Sequence, residues 1–374
     1  MFNGCSSLTS ISWGDGNANI DNVTFIGEGA FAGTAFTEFV FPKNVYSIED
    51  YVFENCTSLE TLSLYGNFED EQILPEEEEE GEINYPCVDH NGNGCYELKG
   101  VQVIKEGALK GCSSLSTINL YDSNYEINSN PDISGYENTF TFPYSVMRCD
   151  GSSKQNSSHY TFAGTAPTKV VFSPNMQHIG AYAFYNVTSL TEVNVAQFEN
   201  SKMLTIKASA FQGCSNLASI DLPHSILRIE NSAFYGCENL NNVELNQLKI
   251  NAINGGAFYN CQSIEHLKLP ETVSSIKSDA FYRTYNLDYV VLPVAVTEVL
   301  DRAFMECRQN SSEKMKVFIS RNYNAAHVGG KKINFGKNWH DASVDEYYLL
   351  LEGEQRVEGR NYWEPDASGN PVVI

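Results

Sequence analysis

The chain has 374 residues, a net charge of -23 at pH 7 and a pI near 4.6. So acidic a balance excludes a surface built for nucleic acid or for anionic membranes, since both attract Lys and Arg. No apolar run approaches the roughly 18 residues of a membrane span, so no membrane insertion is expected.

Met1-Phe2-Asn3-Gly4-Cys5 opens the chain with F-x-G-C, the second half of a unit whose first half is missing. Residue 1 is therefore expected to be a truncation point, with any export signal upstream. The same Phe position recurs at Phe31, Phe53, Phe162, Phe184, Phe211, Phe234, Phe258, Phe281 and Phe304, with Leu109 substituting once. Ala precedes most of them, and an apolar residue sits four positions before that Ala, as at Ile179, Ile206, Ile229 and Ile276. An i, i+4 apolar pair followed by Phe predicts a short helical or 3₁₀ turn facing a core. The clearest units run from Ile229 to Pro270. Self-similarity at a fixed period of roughly 23 residues means a solenoid.

A period-two apolar pair follows each turn, as in Ile118/Leu120, Val193/Val195, Ile220/Leu222, Leu267/Leu269 and Val290/Leu292. This predicts a strand with one buried face. Pro223, Pro270 and Pro293 close the strand. Stacked units then give a parallel sheet along one face.

Seven of the ten cysteines sit three residues after the repeat Phe or its equivalent: Cys5, Cys56, Cys112, Cys214, Cys237, Cys261 and Cys307. Thr34, Thr165, Val187 and Thr284 fill the same slot elsewhere. A slot that accepts Cys, Thr or Val reads as small buried packing, not as a disulfide or metal framework.

Two insertions break the period, at about residues 65–98 and 121–160. The first carries the acidic run Glu76 to Glu80 and the segment Asp89-His90-Asn91-Gly92-Asn93-Gly94. Oxygen ligands at positions one, three and five with Gly at six match the first half of a calcium loop. Gly100 stands where the bidentate Glu belongs. The candidate metal ligands are Asp89, Asn91, Asn93 and Glu97. The alternative is an Asn/Gly-rich turn closed by Cys87 and Cys95. No cofactor other than calcium is expected.

The repeat fades after Cys307. Lys316 to Ile319 reads as one more strand. Phe335, Trp339 and the run Tyr347 to Leu351 read as a cap over the last turn, which would otherwise expose its apolar cross-section. The chain thus divides into a solenoid over residues 1–310 and a capping segment over 311–374.

The repeated I-x-x-x-A-F-x-G-C-x-x-L-x-x-I-x-L-P, cleanest at Ile206–Leu222 and Ile229–Leu245, resembles the BspA-type leucine-rich repeats of bacterial and protist surface proteins. That resemblance spans roughly residues 1–310. The tail around Gly359-Arg360-Asn361-Tyr362-Trp363 also resembles a C-terminal segment of such proteins, which implies a natural C-terminus. The implied fold is a right-handed horseshoe with its parallel sheet on the concave face and short helical turns on the convex side. The implied setting is extracellular or on the cell surface, with adhesion to host proteins or other cells. No family binding residue carries over.

The residues between the buried ones face outward on that sheet. The row begins with Thr61/Ser63 and Thr117/Asn119 and ends with His266, Lys268, Tyr289, Val291 and Phe318. Exposed aromatic and apolar groups clustered on a curved face make these five the candidate binding residues. The alternative is that the cap folds back and buries them. No H-E-x-x-H, G-x-S-x-G or phosphate-cradling loop is present and the seven histidines are scattered, so no enzyme is expected. The leading expectation is a non-enzymatic module that binds an extracellular protein through the concave face or the insertions. The alternatives are a carbohydrate-binding module and a passive surface spacer.

Overall fold

The structure is a computed structural model. It describes residues 2–11, 23–42, 44–65, 100–121, 138–142, 146, 148–150, 160–173, 175–195, 201, 203–309, 311–321, 326, 332–342, 344–350, 355–367 and 370–374.

Alternating apolar residues fold each unit into one longer and one shorter strand. The longer strands form an eight-stranded sheet in the order Glu38–Val40, Thr61–Tyr65, Thr117–Tyr121, Thr139–Thr141, Lys169–Phe172, Glu192–Val195, Ser219–Ile220, Asn242–Val243. A six-stranded sheet runs from His266–Lys268 through Tyr289–Leu292, Met315–Ile319, Val344–Leu349 and Asn361–Pro365 to Pro371–Val373. The short strands pair separately, from Ser47–Ile48 to Arg228–Ile229 and from Ala252–Ile253 to Asn334–Phe335. Pairing is parallel throughout these sheets except for the terminal Asn361–Pro365 and Pro371–Val373 hairpin.

The expected helical turns are absent among the described residues. The reason lies in the left-handed residues that punctuate each turn. Tyr182 and Asn186 have φ of 59° and 55°, and Ser209 and Gly213 have 56° and 78°. A helix cannot hold a left-handed residue every fourth position. The amides go elsewhere. Tyr182, Phe184 and Asn186 donate to the carbonyls of Ala208, Ala210 and Gln212 in the next turn at 3.0, 2.8 and 2.8 Å. Tyr185 and Val187 donate within their own turn, to Tyr182 and Phe184, at 3.2 Å each. The turn side is therefore a third hydrogen-bonded ladder, and the i, i+4 apolar spacing serves it instead of a helix.

One turn explains a glycine. A Cβ on Gly213 would lie 1.9 Å from Asn186 Oδ1, and its φ of 78° is left-handed. Gly213→Ala is expected to lower stability by about 1–2 kcal/mol, read by urea denaturation.

The core is a column of rings. Phe184, Phe211, Phe234, Phe258, Phe281 and Phe304 stack at centroid spacings of 5.3, 5.5, 5.4, 5.6 and 5.3 Å. The cysteine slot lies beside it and is buried in every described unit except at Cys5. Each buried thiol of the slot donates to the carbonyl of the preceding repeat's aromatic residue, as Cys237 does to Phe211 at 3.2 Å and Cys261 to Phe234 at 3.1 Å. Thr34, Thr165 and Thr284 donate instead to the carbonyl of their own turn's Phe at 2.7–2.8 Å. Burial pushes the Cys214 and Cys307 thiols up to about 12 and raises Cys237 and Cys261 as well. These four cysteines are packing groups, unfit as thiolate ligands or nucleophiles, whereas the hydrogen bond with Cys112 lowers Cys56 to about 7.

Part of the stretch read as a second insertion rejoins the repeat. Thr139–Thr141 enters the longer sheet, with Phe140 in register with Ile118 and Val170. Cys149 takes an Ile slot between Ile104 and Ile179. The turns nonetheless stack directly, with Leu109 N donating to Thr161 O at 3.2 Å and Gly111 N to Ala163 O at 2.8 Å. The longer sheet thus holds one strand more than the turn column beside it.

The far end closes on tryptophan. Phe304 N donates to Trp339 O at 2.9 Å, and the Trp339 ring meets Phe304 edge-on at 6.1 Å. Phe335 stacks on Trp339 at 4.9 Å.

Candidate functional site

The outward row of the longer sheet changes character along its length. At one end Glu38 and Val40 are exposed and Thr61 and Ser63 half-buried, and on the next two strands Thr117, Asn119, Thr139 and Thr141 are buried. In the middle, Lys169 reaches Glu192 at 2.9 Å, and Asn194 donates to the same carboxylate oxygen at 2.7 Å. The Lys169 contact, opposed by burial, lowers the Glu192 pKa. This stretch is self-neutralised.

Beyond it the row becomes aromatic and basic. Parallel register aligns His266 with Tyr289 and Lys268 with Val291. His266 and Lys268 are exposed, and Tyr289 and Val291 are half-buried. The His266 and Tyr289 rings stack at 5.1 Å.

Phe318 continues the row in parity but not in access. It is only 2% exposed. Tyr289 lies 5.9 Å from it, Tyr347 5.2 Å and Trp363 5.7 Å between ring centroids. Trp363 is held there by donating from Nε1 to Ile319 O at 3.0 Å. The terminal strands therefore cover one of the five expected residues and leave four accessible. Tyr347, half-buried on the same face, is a member the sequence reading missed. Only the register shows its place, by pairing Phe318 with Tyr347. Lys169 was missed as well, although Lys169–Phe172 alternates plainly.

A second concavity of about 330 Å³ lies on the short-strand side, lined by Asp50, Lys105, Glu106, Asp150, Gly180, Ala181 and Lys207. Its charges are mixed, and Asp150 is 3.3 Å from Arg148 and 3.9 Å from His178. The proposed calcium ligands Asp89, Asn91, Asn93 and Glu97, and the Cys87/Cys95 pair, lie outside the described residues. Among the described residues no group of three or more His, Cys, Asp or Glu is placed to hold a metal. Nor is any described helix long and apolar enough to cross a membrane.

Trp339-His340-Asp341 lies at the far end. His340 Nε2 meets Glu346 Oε1 at 2.9 Å and Nδ1 meets Asp341 O at 2.7 Å. A ring that donates at both nitrogens is the charged form. Burial opposes that charge, but Glu346 and the Asp341 carbonyl outweigh it and raise the His340 pKa. A raised folded pKa gives stability that is complete below the unfolded value of about 6.5 and lost as pH rises through the folded value. The melting temperature is expected to fall across that window, and His340→Asn is expected to flatten the profile. An unchanged slope would show that His340 is not its source.

The pattern that defines the BspA type Leucine rich repeat region matches six copies, over residues 1–72, 96–200 and 197–311. The chain belongs to this family. No curated protein matches it. Among solved structures, it is similar to a leucine-rich repeat protein of T. pallidum, at 28% identity over 45% of this chain and 73% of that one, TM-score 0.38. A leucine-rich repeat protein of Bacteroides ovatus is 18% identical over 93% of this chain and 74% of its own, TM-score 0.49. A leucine rich cell surface protein of Faecalibacterium prausnitzii is 20% identical over 85% and 83%, TM-score 0.30.

Proposed function

We propose that the chain is a non-enzymatic binding module, cell-surface or secreted, that adheres to an extracellular protein through the outward face of the longer sheet. The observation that carries this reading is the cluster of His266, Lys268, Tyr289 and Val291. It is aromatic, basic and accessible, on a rigid parallel sheet, in a chain whose net charge is -23. Aromatic and cationic side chains on a preorganised face supply most of the energy of protein recognition. Residues 311–374 serve as the end cap, and they border the site through Tyr347 and Trp363.

The test is a screen of the folded chain against immobilised extracellular-matrix proteins and a glycan array, with His266→Ala/Tyr289→Ala alongside. Binding to a protein is expected, weakened by 10-fold or more in the double variant. The melting temperature is expected to fall by no more than about 2–4 °C, since both side chains leave water access on one face. Equal binding by the variant would remove the site. Binding to glycans alone would replace protein by carbohydrate as the ligand, and no binding at all would leave a passive spacer.

A further inference from the structure

Both ladders stop at one repeat. The longer sheet ends at Asn242–Val243 and restarts at His266–Lys268, and the shorter one ends at Arg228–Ile229 and restarts at Ala252–Ile253. The sequence supplies a cause on the shorter side. Leu245 and Ile253 are one residue further apart than Leu222 and Ile229 or Leu269 and Ile276, and no Pro follows Leu245. Leu248 and Ile250 are both buried here, where neighbouring units bury the Pro and one aliphatic residue, Pro223 with Ile226 or Pro270 with Val273. The added residue lies between the end of the longer strand and the shorter one, so it shifts the partners of the shorter ladder, while the longer strands keep their spacing from the turns, since Asn242 follows Phe234 as His266 follows Phe258.

The hydrogen bonds record that loss. In intact units an amide closes each step of the short ladder, as Glu230 N does to Ile206 O at 2.9 Å and Lys277 N to Ile253 O at 2.9 Å. At the break Ile229 O is instead met by the Asn254 side chain, Nδ2 at 2.6 Å. The turn column is uninterrupted at the same place. Ser232, Phe234 and Gly236 donate to Gly255, Ala257 and Tyr259 at 2.9, 2.9 and 2.8 Å. The Phe234 and Phe258 rings stay stacked at 5.4 Å.

The turn side is therefore fully bonded, the shorter side keeps Lys249 N to Ile226 O at 3.3 Å and the Asn254 side chain in place of its ladder, and the two stretches of the longer sheet are not paired. We infer that the solenoid flexes at residues 244–251, about an axis along the phenylalanine column, opening and closing the angle between the two stretches of the longer sheet. Hinges of this kind concentrate rotation in a few residues between packed bodies. The stretch with Lys169 and Glu192 lies on one side of the hinge, and the stretch with His266 and Tyr289 lies on the other.

Pulsed electron–electron resonance on the whole chain tests this, with spin labels on genetically introduced keto amino acids so that the native cysteines stay untouched. Labels replacing Thr191 and Lys314 span the break on the sheet side. Labels replacing Ala208 and Asp301 span it along the turn column. The first pair is expected to give a distance distribution about twice as broad as the second, on the microsecond-to-millisecond scale of hinge motion. Equal widths for the two pairs would overturn the hinge. A repaired chain, Asn246→Pro with Ile250 deleted, is expected to narrow the first distribution to the width of the second. Should the repaired chain fail to fold, the widths in the native chain decide alone.

Discussion

Phe258→Ala is expected to cost about 3–5 kcal/mol of stability, the range for removing a buried aromatic ring. Phe258 has no exposed surface and stacks between Phe234 at 5.4 Å and Phe281 at 5.6 Å. Truncation loses two ring pairs, each worth about 0.5–1.5 kcal/mol beyond area burial, and leaves a gap in a column that cannot collapse. The column is pinned by turn amides on both sides, from Phe234 N to Ala257 O and from Phe258 N to Ala280 O, at 2.9 Å each. The chain offers its own comparator. Leu109 fills the same position with no exposed surface. Phe258→Leu is accordingly expected to cost about 1 kcal/mol, the ordinary range for a volume-conserving apolar swap. Urea denaturation followed by circular dichroism separates the two. Because each repeat rests only on its neighbours, the Ala variant is also expected to split the transition into two steps. A loss under about 1 kcal/mol for the Ala variant would mean that the ring stack is not what holds successive turns together.

The column and the sheets were legible because one pattern recurs until chance is excluded. Variants of Ala-Phe-x-Gly-Cys mark the turns, and period-two apolar pairs mark the strands. The conformation of the turns was not legible. Their apolar i, i+4 spacing is also that of a helix. The left-handed positions that forbid one are occupied by Tyr182, Ser209 and Ser232, residue types that do not announce such a backbone. Cys149 hid in an Ile slot because its unit lacks the usual Ala-Phe spacing. The outward row was legible in parity. Accessibility was not, because the residue that covers Phe318 lies 45 positions later and arrives only through strand pairing. The break at residues 244–251 was visible as a lost Pro and one added residue, but the gap in the longer sheet, whose strands keep their spacing from the turns, needs the ladders.

Trp363→Ala tests how far the cap shapes the binding face. The ring is 5% exposed, covers Phe318 at 5.7 Å and donates from Nε1 to Ile319 O at 3.0 Å. Its removal is expected to cost about 3–5 kcal/mol, on the scale of other buried aromatic truncations. The loss includes the Ile319 carbonyl, which keeps no side-chain donor and must find water. Trp363→Phe keeps most of the cover and drops the hydrogen bond, so it is expected to cost only about 1–2 kcal/mol. The functional effect runs the other way. Uncovering Phe318 joins it to Tyr289 and Tyr347 in one exposed aromatic patch, and a larger apolar patch binds less selectively. Trp363→Ala is therefore expected to bind a dye for exposed apolar surface at temperatures where the native chain does not, while Trp363→Phe stays silent. If the Ala variant keeps the native stability and binds no dye, then Tyr347 and the neighbouring strands cover Phe318 by themselves. The terminal hairpin would then be an ornament to the sheet, with no part in deciding which residues the outward face presents.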